Sequence, residues 1–249
     1  RHNDNNALGF LRTHPLTGER ISEGQSRAQS YPVKMRANST DFVLMREKLR
    51  IATLGAQDAL AYYQTALASG RYLNRGAVLY GQARALLAQG QTAAAQALLP
   101  AVRQQLGSHP SVLLLEGDIQ RAAANLPAAI QTYHQALQTW PARRALRLAE
   151  IDTLLQAGRS SDARQAIDAA LLRYGDDAQL WRLSARSYGE ADALRYHAAL
   201  GNAFFFEQKF DSARVQYQLA SRARGDDFYL RSSIEARLRE LDTLLKTRP

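Results

Sequence analysis

The sequence contains no cysteine and little glycine or proline, 15 and 7 of 249 residues. The absence of cysteine excludes a disulfide framework, a cysteine-ligated zinc site and a thiol nucleophile. No run of 18 apolar residues occurs, so the sequence predicts no membrane-spanning helix. Sustained alternation of apolar and polar residues is also missing, which disfavours β-strands.

Strong helix formers, chiefly Ala, Leu, Gln and Arg, dominate the composition. Hydrophobic residues make up 46%, enough to form a core. The 32 Lys and Arg outnumber the 23 Asp and Glu, so the formal net charge is +9. The first six residues are polar, without an initiator Met or a signal-peptide core, and we expect an internal or C-terminal piece of a longer protein.

Small side chains recur every 34 residues along the chain. One set is Ala61, Ala95, Ala129 and Ala163, and a second set, seven residues further on, is Ala68, Val102, Ala136 and Ala170. Antiparallel helices approach closely only where small residues face each other, so this period predicts stacked helix pairs. We expect an all-α superhelix of about 12 helices between Asp41 and Lys246, ending in a capping helix over 226–246.

The best repeat unit, 110–143, contains Gly117, Leu126, Ala129, Ile130, Tyr133, Ala136, Leu137 and Pro141. A second good unit, 194–227, contains Leu200, Gly201, Phe204, Phe210, Ala213, Tyr217 and Ala220. This spacing resembles the tetratricopeptide repeat family. The resemblance implies a solenoid of helix pairs over 39–249 whose concave face binds other proteins.

The predicted units start near 42, 76, 110, 144, 178 and 194, with a cap over 228–249. The unit starting at 178 carries Trp181, Ala185 and Tyr188, but only 16 residues separate it from the next. Either its second helix is missing over 178–193, or the helix at 191–206 serves both units. Gly189 is the expected bend. In the first unit, Tyr62 is expected to pack and Tyr63 to lie at the surface.

Residues 1–38 do not fit the repeat. Thr13-His14-Pro15, followed by Arg20-Ile21, resembles the end of the peptidase domain in periplasmic HExxH zinc metalloproteases that assist outer-membrane β-barrel assembly. In that family a tetratricopeptide domain follows. The resemblance implies that 1–38 is the linker or end of an absent metalloprotease domain, and that the repeats bind assembly machinery or misassembled substrate proteins for quality control in the periplasm.

Zinc would then belong to the parent protein, a metalloendopeptidase. The five histidines here include no pair four residues apart and no HExxH, so we expect no peptide hydrolysis and no bound cofactor in this chain. In the family, a histidine at the place of His14 lies near the zinc, so the resemblance implies that His14 is an additional zinc ligand or a plug when the protease domain is present. The alternative is that His14-Pro15 forms only a turn in the linker.

The concave face is expected to be lined by the first helix of each unit. The candidate partner-binding residues are Arg46, Arg50, Tyr80, Arg84, Asp118, Arg121, Asp152, Arg182, Arg186, Asn202 and Phe205. Arginine predominates, and planar guanidinium groups bind carboxylates through several donors. We therefore predict an acidic or carboxylate-bearing polypeptide partner. The alternative is that about half of these arginines form solvated pairs with nearby acids.

Two other functions stay open. The chain could be a free-standing helical-repeat scaffold, or its charge of +9 could serve a basic repeat protein that binds nucleic acid. The basic residues are spread over all helices and mixed with acids, without a Lys/Arg block interleaved with aromatics. This pattern favours a protein partner over nucleic acid.

Overall fold

The computed structural model describes residues 17–29, Tyr31 and 38–246, and the chain divides into two units, Arg1–Ser39 and Thr40–Pro249. In the first unit, α1 (Thr17–Gln29) carries Arg20 and Ile21 on its exposed surface. Thr13, His14 and Pro15 lie outside the described residues. Within the described ranges, no helix is both long and apolar enough to cross a membrane.

Twelve α-helices and no strand make up the described part of the second unit, which confirms the all-α prediction. They are α2 (Thr40–Leu54), α3 (Ala56–Ser69), α4 (Arg75–Ala88), α5 (Thr92–Leu106), α6 (Pro110–Ala122), α7 (Leu126–Thr139), α8 (Arg144–Gln156), α9 (Ser160–Leu171), α10 (Ala178–Tyr188), α11 (Ala193–Phe206), α12 (Phe210–Arg222) and α13 (Phe228–Lys246).

The helices pack as a row of pairs. Each helix contacts the next one along the chain, and the first helices α2, α4, α6, α8 and α10 also contact one another in order. Most helix–helix contacts therefore join neighbouring pairs, as in solenoid proteins. The arrangement confirms the predicted stack of helix pairs.

Two tyrosine–glycine contacts set the spacing within pairs. The ring of Tyr133 on α7 lies against Gly117 on α6, and the ring of Tyr217 on α12 lies against Gly201 on α11. A Cβ atom at either glycine would collide with the ring, so only glycine permits this approach. The same sites were singled out by the repeat pattern in the sequence.

The alanine period is confirmed except in the first unit. Ala95, Ala129 and Ala163 are fully buried, but Ala61 is exposed and Ala59 is buried instead. The cause is the turn between α2 and α3, which is the single residue Gly55, whereas three residues separate α4 from α5. The shorter turn moves α3 by two residues relative to the other second helices.

The same displacement reverses the prediction for the adjacent tyrosines. Tyr63 is fully buried and Tyr62 is exposed, so the expectation that Tyr62 packs is wrong. The Tyr63 ring contacts Gly81 of α4, and its hydroxyl donates to the Glu47 carbonyl at 3.2 Å.

The irregular unit follows the second of the two alternatives. After α10, Gly189 adopts φ 58°, a short 3-10 helix spans Glu190–Asp192, and α11 begins directly. Helix α11 packs against both α10 and α12. One helix therefore serves two units, and Gly189 is the bend.

The last helices begin at aspartate caps. Asp177 accepts hydrogen bonds from the backbone N–H groups of Gln179 and Leu180 at the start of α10, and Arg144 holds the pKa of its carboxyl below the usual value. Asp227 caps α13 through the N–H of Leu230. Along α13, Ile234 and Leu241 are buried, as expected of a helix that closes the stack.

We predict that Gly117→Ala destabilises the domain by about 1–3 kcal/mol, because the added methyl group overlaps the Tyr133 ring. Urea unfolding followed by circular dichroism measures the change. Gly24→Ala in α1 is the matched control, since a Cβ there meets no described atom within 4 Å. Equal stability of the Gly117 variant and wild type would contradict the proposed contact.

Candidate partner-binding surface

One residue in each first helix occupies the same place in the repeat. These residues are 34 apart in sequence, Arg50, Arg84, Asp118, Asp152 and Arg186. The first helices contact one another in order, so equivalent side chains of adjacent helices come within reach of each other. Their charges change sign twice along the row, which brings opposite charges together.

Four of these side chains, with Arg121, form a continuous line of ion pairs that we call the charge ladder: Arg84, Asp118, Arg121, Asp152 and Arg186. Arg84 lies 3.5 Å from Asp118, and Arg121 lies 3.7 Å from the same carboxylate. Arg121 and Arg186 each donate to a different oxygen of Asp152 at 2.6 Å. The ladder links α4, α6, α8 and α10.

The ladder is fixed to the core through Tyr133. Its hydroxyl donates to Asp118 Oδ1 at 2.8 Å, while its ring lies against Gly117. Burial raises the pKa of the Tyr133 hydroxyl, and the Asp118 carboxylate raises it further. Among the ladder residues, Asp118 has the least exposed side chain. Arg186 has the most exposed one, at 55%.

A second group of charges lies on α2. Arg46 and Arg50 donate to opposite oxygens of the buried Glu47 carboxylate at 2.9 and 3.0 Å. The Arg50 guanidinium also stacks over the Tyr62 ring, 3.9 Å from its centroid. Both predicted arginines are therefore held in place, because paired charges and a ring restrict their rotamers.

At the other end of the row, Arg182 forms a two-point contact with Glu207. Its Nε and Nη2 atoms donate to the two carboxylate oxygens at 2.9 and 2.8 Å, and Lys209 adds a third donor at 2.8 Å. Asn202 accepts a hydrogen bond from the Tyr217 hydroxyl at 2.7 Å. All six predicted arginines thus have carboxylate partners.

A sequence model of the tetratricopeptide repeat matches residues 113–187, which contain four of the five ladder residues. The chain matches the tetratricopeptide repeat family within these bounds, over 75 of its 249 residues. Its fold is similar to that of a tetratricopeptide repeat protein from Parabacteroides merdae, which is 14% identical over 90% of each chain with a TM-score of 0.50. At this identity the likeness concerns the fold alone.

Two further solved structures resemble the repeat domain less closely. A MamA RS-1 ArsTM double mutant is 15% identical, with a TM-score of 0.48 over 70% of this chain and 97% of that one. The tetratricopeptide repeat domain of P58(IPK) is 12% identical, with a TM-score of 0.33 over 96% and 73%. No curated protein is similar enough to match the sequence.

One predicted groove residue is a core residue instead, and another is half-buried. Tyr80 is fully buried in α4, which packs against α2, α3, α5 and α6, and burial raises the pKa of its hydroxyl to about 12. Phe205 packs between Phe206 and Phe210, with Arg237 over its ring. Tyr80 is closed to a partner, so assigning it to the partner-binding face was wrong, whereas Phe205 stays a prediction as a partner-binding residue.

Sequence reasoning missed a contact that joins non-adjacent repeats. Asp41 at the start of α2 pairs with His109 at 3.3 Å and with Arg143 at 3.0 Å. The Arg143 guanidinium holds the pKa of the Asp41 carboxyl below its usual range. Its members lie 102 residues apart, which is three 34-residue periods, so charges compared at repeat intervals along the whole chain would have indicated this pair. In the described ranges, no group of three metal-ligating side chains occurs.

We expect Asp152→Ala to destabilise the repeat domain by about 1 kcal/mol at low salt, because two partly exposed ion pairs are lost. The effect should shrink in molar salt, where exposed charges are screened. Asp162→Ala, which removes one exposed pair with Arg159 inside α9, is the control and should cost less. A large loss that salt does not change would show that Asp152 has a packing role instead.

Proposed function

We propose that the tetratricopeptide repeat domain is a protein-interaction scaffold that docks an acidic polypeptide segment along the charge ladder. The observation that carries this proposal is the ladder itself, a line of ion pairs across four first helices. Four first helices contribute to it, so the surface offers guanidinium groups along the row of helices to an extended chain.

The charge balance of this face favours an acidic partner. The six predicted arginines and Lys209 face four carboxylates, those of Glu47, Asp118, Asp152 and Glu207. A partner carboxylate can contact a guanidinium through donors that its present ion pair leaves open, since each arginine has five. Arg186 is the best placed because it is the most exposed and has a single carboxylate partner.

Ladder ion pairs are also weak enough to exchange. Pairs between partly exposed side chains contribute only about 0–1 kcal/mol each, so a partner can replace one without unfolding the repeat. Electrostatic complementarity of this kind chiefly sets specificity and association rate. Binding is therefore expected to be fast and to weaken with salt.

We further propose that this domain is the partner-binding part of a periplasmic zinc metalloprotease involved in outer-membrane β-barrel assembly. The support is the resemblance of Thr13-His14-Pro15 and Arg20-Ile21 to the end of that peptidase domain, directly before the repeats. Zinc would be held by the parent protein. The encoded sequence upstream of Arg1 tests this: an HExxH motif behind a signal peptide supports it, and any other domain there overturns it.

Replacing Arg121 and Arg186 together by Gln should weaken binding of an acidic peptide about tenfold, because two guanidinium donors are lost. A fluorescein-labelled peptide of alternating Glu and Gly, measured by anisotropy, is the probe.

Arg222→Gln combined with Arg239→Gln removes the same charge from the exposed surface of α12 and α13, and should leave affinity unchanged. Equal weakening by both double variants would mean that net charge alone attracts the peptide. Tighter binding of random-sequence DNA with a steep salt dependence would favour the nucleic-acid alternative.

A further inference from the structure

A groove of about 800 Å³ lies among α9, α10, α11 and α13, at the irregular unit. Its walls are mostly apolar and include Trp181 and the small side chains Ala198 and Ala199. At its rim, Leu172 is 92% exposed and Tyr229 is 86% exposed. Large apolar side chains this open, beside a groove, are typical of a binding site.

This groove and the charge ladder occupy opposite faces of α10. Trp181, Ser184 and Tyr188 line the groove at helical spacing, whereas Arg182 and Arg186 belong to the other face. At 100° per residue, the two sets point ~150° apart around the helix. The groove is therefore a separate surface from the one proposed for acidic partners.

The groove exists because the unit that begins with α10 has no second helix of its own. In the regular unit, α7 covers the equivalent face of α6, where Thr132 donates to Gln120 at 2.8 Å. Tyr188 is two 34-residue periods after Gln120 and occupies the same place in α10. Since α11 follows α10 directly, this face stays open between α9 and α13.

The charge around the groove is opposite in sign to that of the chain. The groove and the adjoining surface at the bend are lined by five carboxylates, Asp168, Glu190, Asp192, Asp226 and Asp227, and by two guanidinium groups, Arg195 and Arg224. Two more guanidinium groups contact the lining, Arg164 over the Tyr188 ring and Arg231 at the Gly225 carbonyl, so carboxylates remain in excess by one. Arg195 pairs with Asp192 and Asp227, at 2.8 Å each. Asp168, Glu190 and Asp226 form no ion pair within the described ranges, so this region is acidic in a chain of net charge +9.

We propose that the groove binds a basic segment of a partner protein, which inserts a bulky apolar side chain and places flanking Lys or Arg residues against the acidic rim. Charge complementarity decides between a basic and an acidic segment. The volume lies in the range of pockets for small ligands, ~300–1,000 Å³, so it accommodates one or two large side chains.

Two adjacent serines on α13 provide a matched test. Ser233 lines the groove, whereas Ser232 is exposed beside it and does not. Ser233→Trp should fill the groove and weaken binding about tenfold, and Ser232→Trp should leave binding within about twofold. The probe is a fluorescein-labelled peptide with a central Trp-Leu pair between lysines, compared with a glutamate version that should bind much more weakly.

Charge is tested separately, so that the proposal stays falsifiable if a tryptophan variant fails to fold. Asp168→Lys should weaken binding of the lysine peptide several-fold, and Asp58→Lys, an equal charge change on the exposed surface of α3, should not. Arg121→Gln with Arg186→Gln should not weaken it either, so failure of this proposal is distinguishable from failure of the ladder proposal.

Three results would overturn the proposal. The first is equal affinity of the Ser232 and Ser233 variants for the lysine peptide. The second is binding of the glutamate peptide as tightly as the lysine peptide, and the third is no binding of the lysine peptide at millimolar concentration. Loss of self-association by Ser233→Trp, seen by sedimentation, without any change in peptide affinity would assign the groove to a second copy of this chain instead.

Discussion

The contact between a tyrosine ring and a glycine backbone sets the spacing of two helix pairs, α6–α7 and α11–α12. It also connects the core to the surface, because the tyrosine hydroxyl reaches the residue that follows the glycine. Tyr133 packs on Gly117 and donates to Asp118, and Tyr217 packs on Gly201 and donates to Asn202. The same side chain thus fixes the separation of the two helices and orients the polar residue that follows the glycine.

The two kinds of interaction differ in what they contribute. Misfit at a close helix contact costs about 1–3 kcal/mol, whereas a partly exposed ion pair contributes about 0–1 kcal/mol. Packing therefore carries the stability of the stack, and the charge ladder adds little to it. Loss of a ladder ion pair is therefore tolerated, so these charges can serve recognition. Replacement of Gly117, which lies next to Asp118, is not tolerated in the same way.

The sequence predicts the fold better than the surface. Ala95, Ala129 and Ala163 recur because every regular unit uses the same helix contact, and their period is visible without coordinates. The shift of Ala59 was not visible, since it follows from the length of one turn at Gly55. Tyr80 was misplaced because burial of a residue in α4 depends on four neighbouring helices, which no local pattern encodes. Two ladder pairs, Arg84–Asp118 and Asp152–Arg186, join equivalent places in adjacent repeats, so charge signs compared at 34-residue intervals would have indicated them.

The half unit at α10 explains the end of the ladder as well as the groove. A residue 34 positions after Arg186 would continue the row, but that residue is Ala220, buried in the second helix α12. The period therefore stops at Arg186, which keeps one carboxylate partner and is the most exposed member of the ladder. In a solenoid each unit contacts only its neighbours, so loss of one helix disturbs the stack only locally. One irregularity thus leaves an arginine open on one face of α10 and an apolar, acid-rimmed groove on the other.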